Sequence, residues 1–189
     1  MNFIKWPKIP RLKNEVFHIS EKIDGTNACI VISSFSPDDE KNPPPLYGVD
    51  ETDTTPHIGI WAQSRSRLIT PENDNYGFAG WVQTNAEQLL EDLGEGHHFG
   101  EWWGQGIQRG YDLKEKRFSL FNPTKQSFIC SNVPIIASCP PVGLVEVIEI
   151  TANQLKTEGS KAAPGYMKPE GLVIYGEQSH VYWKVILDK

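Results

Sequence analysis

The chain has few cysteines and no long apolar run, and each shortage excludes a class of protein. Its three cysteines, at positions 29, 130 and 139, are odd in number and form no CxxC pair. This argues against a disulfide framework or a zinc site and for a reducing compartment. No apolar run is long enough to cross a membrane, and the N-terminal MNFIKWPKIPRLKNE lacks the apolar segment of a secretory signal. We therefore expect a cytoplasmic protein without a membrane partner.

The chain also lacks an excess of positive charge. It carries 18 Lys and Arg against 24 Asp and Glu, a net charge of −6. Between positions 38 and 53, six acids and one base give a local balance of −5, which leaves −1 for the remainder. The acids are Asp38, Asp39, Glu40, Asp50, Glu51 and Asp53, and the base is Lys41. Net negative charge argues against a nucleic-acid partner, but a nearly neutral remainder can still form a basic groove, because local potential attracts phosphate.

The length of 189 residues suits a single domain spanning residues 1–189. Residues 36–57 combine the acids with Pro43, Pro44 and Pro45. Prolines remove backbone donors and the acids repel one another, so this stretch predicts an acidic, proline-rich surface loop. The flanking segments ACIVISSF and IGIWAQS are rich in β-branched and aromatic residues and predict strands.

The remaining segments predict more strands than helices. Apolar residues recur at helical spacing in GFAGWVQTNAEQLLEDL, which predicts a helix that ends at Gly94. Further strands are predicted at HHFGEWW, RFSLFNP, GLVEVIEI, EGLVIYG and HVYWKVIL, and a short helix with a loop at ANQLKTEGSKAAPG. Many strands and few helices in irregular order predict an α+β fold built on antiparallel sheets.

The segment EKIDGTN, residues 21–27, is the sharpest candidate for chemistry. It is open to a structural interpretation as a charged turn, because Asp-Gly is a common turn pair. The chemical interpretation makes Lys22 a nucleophile. An amine attacks phosphorus only when unprotonated, which burial or a nearby cation would favour. Gly25 would let a phosphate approach the backbone, and Asn27 would offer amide hydrogen bonds to a ribose or phosphate.

Five further motifs follow EKIDGTN in a fixed order, namely QSRSR, FGEWWG, KRFSLFNP, PEGLVIY and VYWKV. With these motifs the chain resembles the covalent nucleotidyltransferase superfamily, which comprises ATP-dependent DNA ligases, RNA ligases and mRNA capping enzymes. It is most similar to the RNA ligase 2-like branch, whose lysine motif is EKIxGTN. The resemblance extends from PKIP near the start to the last predicted strand. It implies a ligase-type nucleotidyltransferase (adenylation) domain.

The resemblance also implies residue roles in nucleotide binding. Lys22 corresponds to the lysine that becomes lysyl-AMP, Arg65 to an arginine that contacts the nucleotide and the phosphodiester backbone, and Glu101 to the acid that holds the ribose. Phe121 corresponds to the ring that stacks on adenine, with Phe118 as the alternative ring. The implied nucleotide-binding set is Glu21, Ile23, Asn27, Arg65, Glu101, Phe121 and Lys184.

Three residues are implied to be catalytic. Lys22 would attack ATP, Glu170 would support a catalytic Mg²⁺ (or Mn²⁺) as its metal ligand, and Lys184 would contact the α-phosphate. A carboxylate beside a phosphate is a natural Mg²⁺ site, because Mg²⁺ keeps several waters and takes few protein ligands. Two tryptophans, Trp102 and Trp103, are open to base stacking or to packing, and packing is favoured for at least one.

The chain departs from the family pattern in two places. The last motif usually has two lysines separated by one residue, and here Tyr182 occupies the first position. The chain also ends five residues after Lys184, so we expect no OB-fold or other C-terminal domain. Binding of a nucleic acid would then be weak or would depend on an accessory protein.

The resemblance implies an ATP-dependent polynucleotide ligase, an RNA ligase by preference, that joins 5′-phosphate and 3′-hydroxyl ends in RNA or nicked nucleic acid. Such an enzyme would serve RNA repair in a cell, a virus or a phage. Three alternatives stay open at this point: a compact DNA ligase core, a nucleotide- or RNA-binding protein with impaired turnover, and a transferase that moves AMP or GMP to another acceptor.

Overall fold

The computed structural model describes residues 8–9, 11–36, 43–49 and 57–187. The chain divides into two compact units. We call Met1–Ile23 with Pro134–Lys189 the lysine unit, because it contains Lys22, and Asp24–Val133 the central unit. Both are built on largely antiparallel sheets with helices, which confirms the predicted α+β class. The assignment of residues 1–189 to one domain stays a prediction.

Eleven strands and three α-helices are present in the described residues. The strands are β1 Phe17–Lys22, β2 Thr26–Phe35, β3 Tyr47–Val49, β4 His57–Ser64, β5 Leu68–Ile69, β6 Gly96–Gly104, β7 Lys116–Leu120, β8 Ser131–Asn132, β9 Ile135–Cys139, β10 Gly171–Gly176 and β11 Tyr182–Ile186. The helices are α1 Phe78–Thr84, α2 Ala86–Leu93 and α3 Leu144–Glu158. None of these helices is long and apolar enough to span a membrane.

The lysine unit contains a four-stranded antiparallel sheet in the order β11-β10-β1-β9. Side chains of successive strand residues point to opposite faces, so every second residue of β1 is buried. Phe17 and Ile19 face a core that also contains Leu155 of α3. His18, Ser20 and Lys22 therefore lie on the other face, which we call the Lys22 face.

The predicted strand at GLVEVIEI is wrong, because these residues lie almost entirely within α3. Leu144, Val147 and Ile148 pack against the core of the lysine unit at the spacing of one helix face, and the fully buried Leu155 continues that face. The β-branched residues favour a strand locally, but burial of this stripe against the sheet outweighs that preference. The short helix predicted just downstream is the second half of α3.

The central unit contains strands in the order β3-β4-β2-β6-β7-β8, with β5 paired to β4. All its strand pairs are antiparallel except β7 with β8. Its core includes Phe78 and Val82 of α1, Leu89 of α2, and Trp102 and Phe118 of the sheet.

The single helix predicted before Gly94 is two helices that meet at Asn85. The side-chain amide of Asn85 donates to the carbonyl of Trp81 at 2.8 Å, and its backbone is not helical. Asparagine competes in this way with the helical hydrogen-bond pattern. The predicted end at Gly94 is confirmed, since α2 ends at Leu93 and Gly94 has a φ of +65°.

The predicted loop over residues 36–57 is corrected in its described part. Tyr47–Val49 forms β3 on the edge of β4, and the carbonyl of Pro43 accepts a hydrogen bond from the Trp61 indole at 2.9 Å. Pairing with β4 thus draws part of this polar stretch into the sheet. Residues 37–42 and 50–56 lie outside the described residues.

Candidate active site

Lys22 and Glu170 form an ion pair in the lysine unit. Lys22 is the last residue of β1, and Glu170 immediately precedes β10, whose first residue Gly171 pairs with Lys22. Strand register therefore brings together two residues that are 148 positions apart. The Lys22 Nζ donates to Glu170 Oε2 at 2.6 Å, and the two side chains are 25% and 15% exposed. The proposed nucleophile and the proposed metal carboxylate are thus in direct contact and only partly open to solvent.

Lys184 lies on the same face of the sheet as Lys22. It pairs with Val173 in β10, and Val173 pairs with Ser20 in β1. Cross-strand partners share a face, and Ser20 shares a face with Lys22 because the two are separated by one residue. The exposed side chain of Lys184 therefore adds a second cation to the Lys22 face.

Glu21 points to the opposite face from Lys22 and is only 1% exposed. Its carboxylate accepts hydrogen bonds from Ser160 Oγ at 2.6 Å and from the amides of Lys161 and Ala162 at 2.7 and 2.9 Å. The carboxylate thus holds the segment that follows α3. Ile23 is also buried, at 4% exposure. Any nucleotide contact from these two residues would involve their backbone.

In the central unit, Glu101 ties together two of the sequence motifs. Glu101 in β6 pairs with Asn27 in β2. Glu101 Oε1 accepts from the Gly25 amide at 3.2 Å, and Oε2 accepts from Asn27 Nδ2 at 3.0 Å. A Cβ at Gly25 would lie 2.5 Å from the carbonyl oxygen of Trp102, so only glycine fits this approach. The GTN end of EKIDGTN and the FGEWWG motif therefore form one hydrogen-bonded unit.

Two residues that were not predicted from the sequence hold Asp24. The Asp24 amide donates to the Tyr111 hydroxyl at 2.8 Å, and Arg109 Nε donates to Asp24 Oδ2 at 3.0 Å. Tyr111 is 1% exposed and has a φ of +54°, a left-handed conformation that is uncommon outside glycine. A basic and an aromatic residue beside Gly110 were the only signal in the sequence, and nothing local indicates that they reach Asp24.

The structure separates the candidate stacking rings. Phe121 is 47% exposed, whereas Phe118, Trp102 and Trp103 are at most 2% exposed. Phe118 packs against Phe78 with ring centroids 5.0 Å apart. Phe118 and both tryptophans are therefore core residues, and Phe121 is the ring available to a ligand.

Arg65 lies in the turn between β4 and β5 of the central unit, and its side chain is exposed. An exposed guanidinium can bind phosphate with its planar set of donors.

The carboxylate of Glu170 has the chemistry of a Mg²⁺ ligand. In the part of the chain that the structure describes, no group of three or more His, Cys, Asp or Glu side chains could hold a metal ion. Glu170 is a single, partly buried carboxylate. Mg²⁺ is commonly bound by one or two carboxylates together with waters and substrate phosphates, so Glu170 fits that requirement.

The fold is similar to that of solved RNA ligase structures from Naegleria gruberi. A glutamate-to-alanine variant with ATP and Mn has a TM-score of 0.59 at 18% identity, and the match covers 94% of this chain and 51% of that one. A lysine-to-methionine variant with AMP and Mn has a TM-score of 0.58 at 18% identity, with 93% and 50% covered. At this identity the likeness shows the fold, and the chain spans about half the length of these relatives.

Two comparisons of sequence complete the assignment. No curated protein matches the chain. The family model for RNA ligase matches residues 15–186, a span that contains every motif from EKIDGTN to VYWKV. The chain therefore belongs to the RNA ligase family.

Proposed function

We propose that the chain is an ATP-dependent RNA ligase that works through a covalent lysyl-AMP on Lys22. The observation that carries this proposal is the contact between Lys22 Nζ and Glu170 Oε2 at the head of the family's motif series. This contact supports the proposal because it joins the two residues that the family resemblance implies to be the nucleophile and the metal ligand. The Naegleria structures contain ATP or AMP with Mn, which agrees with this chemistry.

The first step is attack of the Lys22 amine on the α-phosphorus of ATP. A nitrogen–phosphorus bond forms, the bond between the α-phosphorus and the bridging oxygen breaks, and pyrophosphate leaves. The nucleophile must be the free amine, so the ammonium proton has to leave Nζ first. Glu170 Oε2 accepts a hydrogen bond from Nζ at 2.6 Å, so in this proposal it is the group that takes up that proton.

A Mg²⁺ or Mn²⁺ ion held by Glu170 would supply charge neutralisation at the phosphates. Lys184 and Arg65 would bind phosphate oxygens, and such positioning and charge compensation account for most catalysis of phosphoryl transfer.

Roles in nucleotide binding are proposed for Glu101 and Phe121. The carboxylate of Glu101 accepts hydrogen bonds from the Gly25 amide and the Asn27 side chain, and a carboxylate is an acceptor suited to the hydroxyls of a ribose. The exposed ring of Phe121 offers its face to adenine. The family resemblance implies that ATP is preferred over GTP. Stacking tolerates any base, so this preference would come from hydrogen bonds at the base edge.

Two transfers complete the reaction. AMP passes from Lys22 to a 5′-phosphate end, forming a phosphoanhydride and freeing the lysine. A 3′-hydroxyl then attacks the 5′-phosphorus, a phosphodiester forms, and AMP leaves. A comparison of nicked duplexes with RNA or DNA on the 3′-hydroxyl side distinguishes an RNA ligase from the alternative DNA ligase core, because only the RNA ligase requires RNA there.

The test is intact-protein mass spectrometry after incubation with ATP and Mg²⁺. Wild-type protein should gain the mass of one AMP, acid should remove it because phosphoramidates are acid-labile, and peptide mapping should locate it on Lys22. Lys22→Ala and Lys22→Arg should gain nothing. Lys156→Ala, a matched loss of an exposed lysine in α3, should label normally. An adduct on Lys22→Ala at the wild-type level would refute the assignment.

A further inference from the structure

A row of aromatic rings crosses the Lys22 face of the lysine unit. His18 in β1 pairs with Tyr175 in β10, and Tyr175 pairs with Tyr182 in β11. The Tyr175 and Tyr182 ring centroids are 4.7 Å apart with planes inclined by 30°, and those of His18 and Tyr175 are 6.4 Å apart at 22°. We call His18, Tyr175 and Tyr182 the ring row. Neighbouring planes are inclined by only 22° and 30°, so the exposed face at the end of the row can stack another flat group.

Side-chain hydrogen bonds hold the two inner rings of the ring row. The His18 ring nitrogens lie 2.8 Å from Ser138 Oγ and 3.1 Å from Glu177 Oε2. The Tyr175 hydroxyl lies 2.7 Å from His180 Nδ1. These contacts fix the orientation of the platform before a ligand arrives, which lowers the entropy cost of binding.

The outer end of the ring row is open. Tyr182 is 66% exposed, and β11 is the edge strand of its sheet in the residues that the structure describes. Lys184 follows two positions later on the same face, about 6–7 Å along the strand. An exposed ring therefore adjoins an exposed cation, an arrangement that fits a ligand with a flat face and a negative charge close to it.

We infer that the ring row is a stacking platform for the base of the 5′-terminal nucleotide of the RNA substrate. This inference rests on the proposed function. In the adenylylated end, the AMP phosphate is joined directly to the 5′-phosphate, so Lys184 beside one phosphate is also near the other. The first base of the strand then reaches the rings that lie beyond Lys184.

The chemistry of the ring row favours a nucleobase over an apolar partner. The imidazole and phenol edges are polar, and two of these rings are engaged in hydrogen bonds at their edges. Base stacking on an aromatic ring contributes about 1–3 kcal/mol per base, and it tolerates any base because each has a π-face. Unlike a lysine at the same position, a stacked tyrosine releases no counterions on binding, so its contribution does not fall as salt rises.

The test measures the affinity of the full chain, without ATP, for a 5′-phosphorylated single-stranded RNA with a fluorophore at its 3′ end. Fluorescence anisotropy gives the dissociation constant between 50 and 200 mM salt. Tyr182→Ala should weaken binding between about 5-fold and 160-fold, the range for one stacked base, without changing the salt dependence. Tyr182→Phe should bind like wild type. Tyr182→Lys should steepen the slope of log affinity against log salt concentration by the amount expected for about one additional phosphate contact.

A second RNA that lacks the base of its first nucleotide identifies the stacked group. Wild type should lose as much affinity for this abasic RNA as Tyr182→Ala loses for the complete RNA, and the two changes together should cost no more than either alone. Phe128→Ala removes a ring that is 92% exposed in the central unit and should have no effect. Circular dichroism checks that each variant is folded.

Three results would overturn the platform: additive losses from the variant and the abasic RNA, no measurable binding by wild type at 50 mM salt, or loss of ATP affinity with RNA affinity intact. Measuring lysyl-AMP formation on the same samples keeps the two proposals apart. If the protein forms lysyl-AMP but its RNA affinity does not change with Tyr182→Ala, the stacking platform is refuted and the ligase chemistry is not. RNA binding that depends on Tyr182, in a protein that never labels with AMP, refutes the ligase chemistry.

Discussion

At the scale of single residues, two neighbouring residues of β1 have different roles, one structural and one proposed to be chemical. Glu21 and Lys22 are adjacent, but strand alternation directs Glu21 into the core and Lys22 onto the open face. Glu21 holds the segment after α3 through Ser160 and two amides, while Lys22 contacts Glu170. The EKIDGTN motif therefore contains a structural anchor directly beside its proposed nucleophile.

The Lys22–Glu170 pair supports a prediction about charge. Glu170→Gln keeps the shape of the side chain but removes the charge that faces Nζ at 2.6 Å. We expect lysyl-AMP formation to slow by about 100-fold or more, the scale on which loss of one electrostatic contact to a reacting group is felt. Initial rates of AMP incorporation at saturating ATP and Mg²⁺ measure this effect.

The control for this prediction is Glu149→Gln, which neutralises an exposed acid of α3 in the same unit. It should label at the wild-type rate, and both variants should have wild-type circular dichroism. Near-normal labelling by Glu170→Gln would remove Glu170 from the reaction.

At the scale of elements, β6 and β7 approach each other too closely for a side chain at Gly100. A Cβ there would lie 2.4 Å from the Ser119 carbonyl oxygen and 2.6 Å from the ring of the buried Phe118. Neither group can move without disturbing the strand pairing next to Glu101. We therefore expect Gly100→Ala to lower the free energy of unfolding by about 1–3 kcal/mol, as overpacking commonly does. Denaturant unfolding followed by tryptophan fluorescence measures this change.

A matched glycine gives the opposite expectation. At Gly80, inside α1, the nearest atom to an added Cβ is Asp74 Oδ2 at 3.7 Å, an ordinary contact. Gly80→Ala should therefore stabilise the protein by about 0.5–1 kcal/mol through helix propensity. If Gly100→Ala were as stable as wild type, the packing described between β6 and β7 would be incorrect.

At the scale of the whole molecule, each unit has its own core and its own buried thiol probes. Burial raises the pKa of Cys29 to about 12 and that of Cys130 to about 11, and it also raises the pKa of Cys139. Cys29 and Cys130 belong to the central unit, and Cys139 belongs to the lysine unit. Since the thiolate is the reactive form, all three thiols should be inert in the native protein near neutral pH.

This predicts that Ellman's reagent at pH 8 reacts only slowly with the native protein. After denaturation, the reagent should react with all three thiols. Alkylation across a denaturant series, read by peptide mass spectrometry, then reports the opening of each unit separately. The cysteines of the less stable unit should become alkylated at a lower denaturant concentration. Alkylation of all three at the same midpoint would indicate one cooperative transition. Native labelling at the rate of a free thiol would contradict the burial of these cysteines.

The sequence by itself determined the family, the α+β class and the identity of Lys22 as the proposed nucleophile. Short motifs carry these conclusions, because a lysine, a glycine or an acid in a local pattern is visible without knowledge of distant neighbours. Strands such as β2, β4 and β10 were also predictable, since β-branched and aromatic residues concentrate there.

Only the tertiary structure decided which side chains meet. The partner of Lys22, the burial of Glu21, the choice of Phe121 over Phe118 and the ring row all depend on register between strands far apart in the chain. The formation of α3 also depended on tertiary structure, because its apolar stripe stabilises a helix only when it is buried against the sheet. The local conformational preference of a residue depends on its neighbours in the sequence, whereas burial and cross-strand pairing depend on its neighbours in space. Where these favoured different structures in this protein, burial and cross-strand pairing decided the outcome.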